Sequence, residues 1–221
     1  IFFIIDTGDN MALGSGEHLK NEIAAEIASC LAHLVIVSGD SMGFSLYNEK
    51  IVKNQGFSAG IQQFYNLEKN LRDPNIYKGK SDLKKALKFL LPCLKKSSAV
   101  FIISDFIRVD EGDLKILREF MRRYETIGIM VRDPVDTELP DLKREVVVED
   151  IYTGQQLLIN PGLIKYEYGK NALEQKRKIE NVFKKEGSDL LYISTDKDFI
   201  SPLVEFLKSR VKLRRYVVPQ R

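Results

Sequence analysis

Histidine and cysteine are scarce in this sequence, with two of each among 221 residues. His18 and His33 each stand without a second histidine or cysteine at ligand spacing, so they support neither a metal cluster nor a Ser-His-Asp or Cys-His arrangement. Cys30 and Cys93 are well separated and both fall in apolar helical patterns, which reads as two buried free thiols in a reducing compartment. Long apolar runs are missing too. Runs such as residues 1–5 and 34–37 fall far short of the ~20 residues that a spanning helix needs. Net charge is small, because 34 basic and 31 acidic residues leave +3. That balance gives no argument for a nucleic-acid partner. Gly14-Ser15-Gly16 lacks the third glycine and the Lys-Ser/Thr ending of a phosphate loop, which removes a nucleotide-binding reading.

What is present is ordinary globular composition, 44% apolar and 29% charged. A chain of this length buries roughly 70% of its unfolded surface and needs no disulfide or structural metal to fold. The first residue, Ile1, already lies inside a core-strand pattern, so the expectation is a single domain over residues 1–221, taken from a longer protein whose upstream part could carry a membrane anchor.

Unbroken apolar runs ending in loops predict buried parallel strands at residues 1–5, 99–103, 127–131 and 190–193. Between them, helical spacing of Leu19, Ile23, Ile27, Leu31 and Leu34 predicts a long core-facing helix. Further helices are expected at 58–71, 81–96, 111–123, 163–185 and 201–212, with Ser81 as the N-cap of the second. Met42–Tyr47 with Lys50–Val52 predicts an antiparallel hairpin, and residues 145–148 and 155–159 a second one around Tyr152-Thr153-Gly154. The fold class is therefore α/β: a doubly wound, mostly parallel sheet with one antiparallel edge hairpin, plus a small second hairpin.

Ligands gather at the carboxyl edge of such a sheet. Asp6, Asp105 and Asp133 each lie at or just past the end of an apolar strand. Together with Asn10 and Ser81, Asp6 and Asp105 form a candidate all-oxygen set, of the kind that suits Mg2+ or Mn2+ completed by waters. The competing reading is local, with the aspartates capping the helices that follow, as Asp commonly does. The residues leave both open.

The loop Asp6-Thr7-Gly8-Asp9-Asn10-Met11 resembles the metal-ion-dependent adhesion motif of von Willebrand factor A (VWA) domains, an Asp-x-Ser-x-Ser sequence after the first strand. Ser81 matches that family's separate Thr or Ser, and Ser104-Asp105-Phe106 its second Asp. Further segments resemble one prokaryotic VWA-like branch, the domain of unknown function fifty-eight. They are Gly39-Asp40-Ser41-Met42-Gly43-Phe44, Asp133-Pro134 with Leu139-Pro140, Glu149-Asp150 with Thr153-Gly154, and Phe206 with Arg210. The resemblance implies a metal set of Asp6, Asn10, Ser81 and Asp105, with Gly8 in place of the first motif Ser and Asn10 in place of the second. Asp9 and Asp82 read as solvated loop charges beside it.

The resemblance further implies a protein-interaction module with no catalytic residues, working with a MoxR-type AAA+ ATPase in assembling or maturing a protein complex. Its expected location is the cytoplasm, at the membrane face if an anchor precedes it. The alternative is a metal-dependent, nuclease-like hydrolase using Asp6 and Asp105 to activate water. A haloacid dehalogenase-type phosphatase is set aside, because Gly8 stands where a second Asp is required. The basic tail Lys212-Leu213-Arg214-Arg215 reads as a solvated terminus.

Overall fold

Strict alternation along the central strands decides the architecture. In β1 (Phe2–Asp6), Phe3 and Ile5 turn to one face while Phe2 and Ile4 turn to the other, and all are buried. β4 (Ala99–Ser104) repeats this, with Phe101 and Ile103 on one face and Val100 and Ile102 on the other. A strand apolar on both faces must be covered on both, and the helices form those two layers. The computed structural model describes residues 1–141, 144–149 and 155–217, with side chains to residue 210.

Six strands form one sheet in the order β3-β2-β1-β4-β5-β8. β2 is Met42–Tyr47, β3 Ile51–Ser58, β5 Glu125–Arg132 and β8 Asp189–Ser194. All neighbours pair in parallel except β2 and β3. α1 (Lys20–Val37) and α2 (Ile61–Leu71) lie with the cluster containing Phe3 and Phe101. α3 (Leu83–Leu90) and α4 (Glu111–Arg123) cover the opposite face, against Ile4 and Ile102. β6 (Val146–Glu149) and β7 (Gln156–Ile159) pair antiparallel as a separate two-stranded sheet. α5 (Pro161–Lys185) comes next, buried chiefly at Ile179, Val182 and Phe183, and α6 (Ile200–Val217) is the last helix. The expected α/β class, parallel sheet and both hairpins are present. The turn residues Asp150 and 152–154, and the side chains of 212–215, lie outside the described residues.

Several local expectations are corrected. Ser58 belongs to β3, where it pairs with Met42, and the chain enters α2 only after Gly60, whose φ of 94° suits glycine alone. The helix expected to reach residue 96 ends at Leu90, because Pro92 lacks the N–H needed to continue it. Its N-cap is Asp82, which accepts from the Lys85 N–H at 2.8 Å; Ser81 is turned elsewhere. Leu34 is exposed, since the buried stripe of α1 runs Lys20, Ile23, Ala24, Ile27, Ala28, Leu31, Ala32 and Val35. Cys30 falls beside that stripe and Cys93 in the turn after α3, so both thiols are exposed rather than buried.

Candidate functional site: the carboxyl edge of the sheet

The parallel register decides what meets at the edge. Ile5 pairs with Ile103, which brings Ser104 level with Asp6. The Ser104 hydroxyl accordingly donates to Asp6 Oδ2 at 2.7 Å. Each strand-end aspartate then closes the same local turn, accepting the N–H two residues ahead: Gly8 on Asp6 Oδ1, Ile107 on Asp105 Oδ1 and Val135 on Asp133 Oδ1. The capping reading holds for Asp133, the N-cap of the 3-10 turn Pro134–Asp136, whereas Gly8 and Asp110 stand at the caps after Asp6 and Asp105, whose carboxylates close local turns instead. All three carboxylates also take bonds from distant segments.

Ser81 Oγ stands 2.6 Å from Asp6 Oδ1 and 2.8 Å from Asn10 Oδ1. A hydroxyl has one proton, so these two acceptors share it. The Asn10 amide nitrogen donates to Asp105 Oδ2 at 2.8 Å. Asp6, Ser81, Asn10 and Asp105 therefore form one hydrogen-bonded chain, and the four residues singled out from the sequence do meet. Asp9 is partly buried in the 3-10 turn Asp9–Ala12. Asp133 lies in a neighbouring cluster, where it takes the Ser15 N–H and hydroxyl at 2.8 and 2.6 Å and the Thr195 hydroxyl at 2.9 Å. Those bonds tie the loop before α1 to the ends of β5 and β8.

Burial, and then the Asp105 charge, raise the Asp6 carboxyl to about 6, against which the Ser81, Gly8 and Ser104 hydrogen bonds work. Close by, burial followed by the Asp6 charge pushes the Tyr47 hydroxyl well above its ordinary range.

Two basic residues at this edge escaped the sequence reading. Lys20 is 1% exposed, and its ammonium bonds Asp105 Oδ2 at 2.8 Å and Asp136 Oδ2 at 2.9 Å. Burial pulls its pKa down, but the two carboxylates outweigh that and the net shift is upward. Arg132, at the end of β5, is 2% exposed and donates to the Asp105 carbonyl and to Gln175 Oε1. Gln175 in turn donates to the Phe106 carbonyl. These contacts hold Phe106 at φ 51°, a conformation that an aromatic residue adopts only under constraint, with its ring against Phe183. One signal for Lys20 was available: it occupies the apolar face of α1, three residues before Ile23 and seven before Ile27. Arg132 and Gln175 gave no comparable pattern.

As folded, the four residues do not fit a divalent ion. Mg2+ needs several oxygens turned toward one centre at about 2.0–2.1 Å. Here Asp105 Oδ2 is faced by an ammonium and an amide NH2 group, both of which repel a cation. Gly8 leaves no room for the missing motif serine either. A Cβ there would lie 2.2 Å from Ser81 Oγ and 2.6 Å from Asn10 Oδ1.

Residues 1–178 match the family described as "Protein of unknown function DUF58". The chain belongs to this family. Its six-stranded sheet, with β3 the one antiparallel member, is the VWA-like arrangement that the motifs implied. Among curated relatives, the uncharacterized protein Rv1480 of Mycobacterium tuberculosis is 25% identical over 213 residues, covering 95% of this chain and 66% of that protein. The chain thus spans just under two thirds of that relative's length. The uncharacterized protein MAV169 of Mycobacterium avium is 31% identical over 133 residues, 59% of this chain and 77% of its own. Among solved structures, the conserved hypothetical protein BatB from Bacteroides thetaiotaomicron aligns at TM-score 0.61 and 10% identity, over 97% of this chain and 98% of its own. An aerotolerance-related membrane protein from Bacteroides fragilis aligns at TM-score 0.52 and 10% identity, over 88% and 90%. At such identity these two speak for the fold alone. Among the described residues, no helix is long and apolar enough to cross a membrane.

Proposed function

We propose that this DUF58 chain is a protein-interaction module that presents the carboxyl edge of its sheet to a MoxR-type AAA+ ATPase or that ATPase's client, during assembly or maturation of a protein complex. It works in the cytoplasm, held at the membrane face by another part of the longer protein. The observation that carries this reading is the loop of residues 13–18. It is exposed throughout, with Leu13 46% exposed, yet it is fastened from beneath by the two bonds from Ser15 to Asp133. The loop borders two open clefts, one of about 540 Å³ shared with residues 195–199 and one of about 730 Å³ shared with residues 134–140. A fixed, exposed loop between clefts is suited to docking, because little conformational freedom is lost when a partner binds.

The hydrolase alternative has less support. Among the described residues, the carboxylates at this edge are engaged in turns, hydroxyls and an ammonium, and no hydrogen bond joins them to a histidine or cysteine. Such an arrangement offers no histidine or cysteine as partner to an attacking nucleophile.

The test is binding between this chain and a purified MoxR-type ATPase from the same organism, followed by biolayer interferometry. Leu13→Asp and His18→Asp alter the exposed loop without touching the buried cluster, and each is expected to weaken binding at least tenfold. Parallel incubations with RNA and single-stranded DNA in Mn2+ are expected to stay at background. Equal binding by both variants, or cleavage that disappears in Asp105→Ala, would overturn the reading.

A further inference from the structure

The carboxyl edge carries four aspartates within one bonded network: Asp6, Asp105, Asp133 and Asp136. In the VWA-type arrangement that the sequence resembles, such an edge is balanced by a bound divalent ion. We propose that in this protein the Lys20 ammonium is the resident cation instead. It makes the edge independent of divalent metal, and its removal would turn the same residues into a metal-responsive site.

Position argues first. Lys20 is the first residue of α1, where the helix dipole disfavours a positive charge, and it lies on the helix face that otherwise carries Ile23, Ala24 and Ile27. An ammonium at such a place needs compensation from elsewhere. Asp105, from the loop after β4, and Asp136, from the turn after β5, supply it at 2.8 and 2.9 Å. Both carboxylates approach from segments far away in sequence, so the pairing belongs to the assembled edge and not to the helix.

The surrounding bonds then fix the ammonium's location from two sides. Asp136 Oδ2 also accepts the Asp133 N–H at 2.9 Å, and Asp133 holds Ser15 in the loop leading to α1. Asp105 Oδ2 also accepts the Asn10 amide, and through Asn10 the connection reaches Ser81 and Asp6. Lys20 thus joins both halves of the polar edge. It does so at Asp105 Oδ2. The steric block at Gly8 agrees, since a motif serine there would collide with Ser81 and Asn10 in their present bonds.

The edge's own charge balance is independent of the identity of any partner, so it can be tested on the isolated chain. The measurement is thermal melting of the whole chain with EDTA, with 5 mM Mn2+ and with Na+ at matched ionic strength. The parent's melting temperature is expected to be the same in all three. Lys20→Ala leaves the buried Asp105 and the half-buried Asp136 without their ammonium, and a fall on the order of 10 °C is expected in EDTA. Mn2+, but not Na+, is expected to recover at least half of that fall, and Asp105→Asn in the same chain should abolish the recovery.

Should Lys20→Ala fail to fold, Lys20→Met with Asp105→Asn removes both charges at once and is expected to restore a cooperative transition. Three results would overturn the proposal: an Asp105-dependent Mn2+ stabilisation of the parent, a Lys20→Ala chain that melts like the parent and ignores Mn2+, or failure of the double variant to fold.

Discussion

Asp6→Asn should change how stability depends on pH, and the structure sets both direction and size. The carboxyl is 1% exposed, and its pKa is raised from 3.8 to about 6, first by burial and then by the Asp105 charge. A difference of that size corresponds to about 3 kcal/mol between the two protonation states. Below about pH 4, folded and unfolded chains both hold the proton. Between about pH 4 and 6 the unfolded chain releases it while the folded chain keeps it, so stability falls as pH rises. Above about pH 6 the folded chain carries the whole penalty. The substituted asparagine keeps the side-chain shape and cannot titrate. Its amide can face Ser104 Oγ, which now donates to Asp6 Oδ2. The repulsion from Asp105, already part of that penalty, disappears with the Asp6 charge.

Urea unfolding at half-unit steps from pH 4 to 7.5 provides the measurement. The stability of Asp6→Asn minus that of the parent should grow by about 2.5 kcal/mol across the range, whatever its offset at pH 4. Parallel curves for the two proteins would refute the reasoning, because they would mean that Asp6 titrates alike in the folded and unfolded chains.

Other substitutions test the packing around the site. Gly8→Ser should lower stability by about 1–3 kcal/mol through crowding of Ser81 and Asn10, with no gain in Mn2+ response; a stabilised, Mn2+-responsive variant would contradict the geometry. Gly128→Ala places a Cβ 2.6 Å from both Phe183 Cζ and Leu190 Cδ1, so a loss of about 1–3 kcal/mol is expected in chemical denaturation. Asp133→Ala removes the acceptor for Ser15, Thr195 and Val135, and should open the loop of residues 13–18 to proteolysis while the rest of the chain stays protected. Both Cys30 and Cys93 should react with Ellman's reagent in the native protein, and two thiols released only after denaturation would contradict their exposure.

The apolar runs at residues 1–5, 99–103 and 127–131 determined three parallel strands by themselves, because a strand buried on both faces has no polar alternation to obscure it. The run at 190–193 also forms a parallel strand, but at the sheet's edge, where of its residues Ile193 alone is buried rather than the whole run as expected. The Asp endings of the first three then marked one edge, and the loop motif together with Ser81 marked four residues that meet there. The helix expected at 111–123 is α4, which the structure shows to be capped by Asp110. Side-chain commitments were another matter. Ser81 could be read as a cap, since a serine before a helix usually is one, yet Asp82 takes that role and the Ser81 hydroxyl turns to Asp6. Cys30 looked buried because an apolar helix does not announce which arc faces solvent until its sheet is in place. Lys20 had the right spacing for the core and the wrong chemistry. Only the tertiary structure resolved that conflict, by bringing Asp105 and Asp136 to an ammonium 85 and 116 residues away in sequence. Periodicity is a property of neighbours along the chain, whereas the charge balance of a buried site depends on partners that only folding assembles.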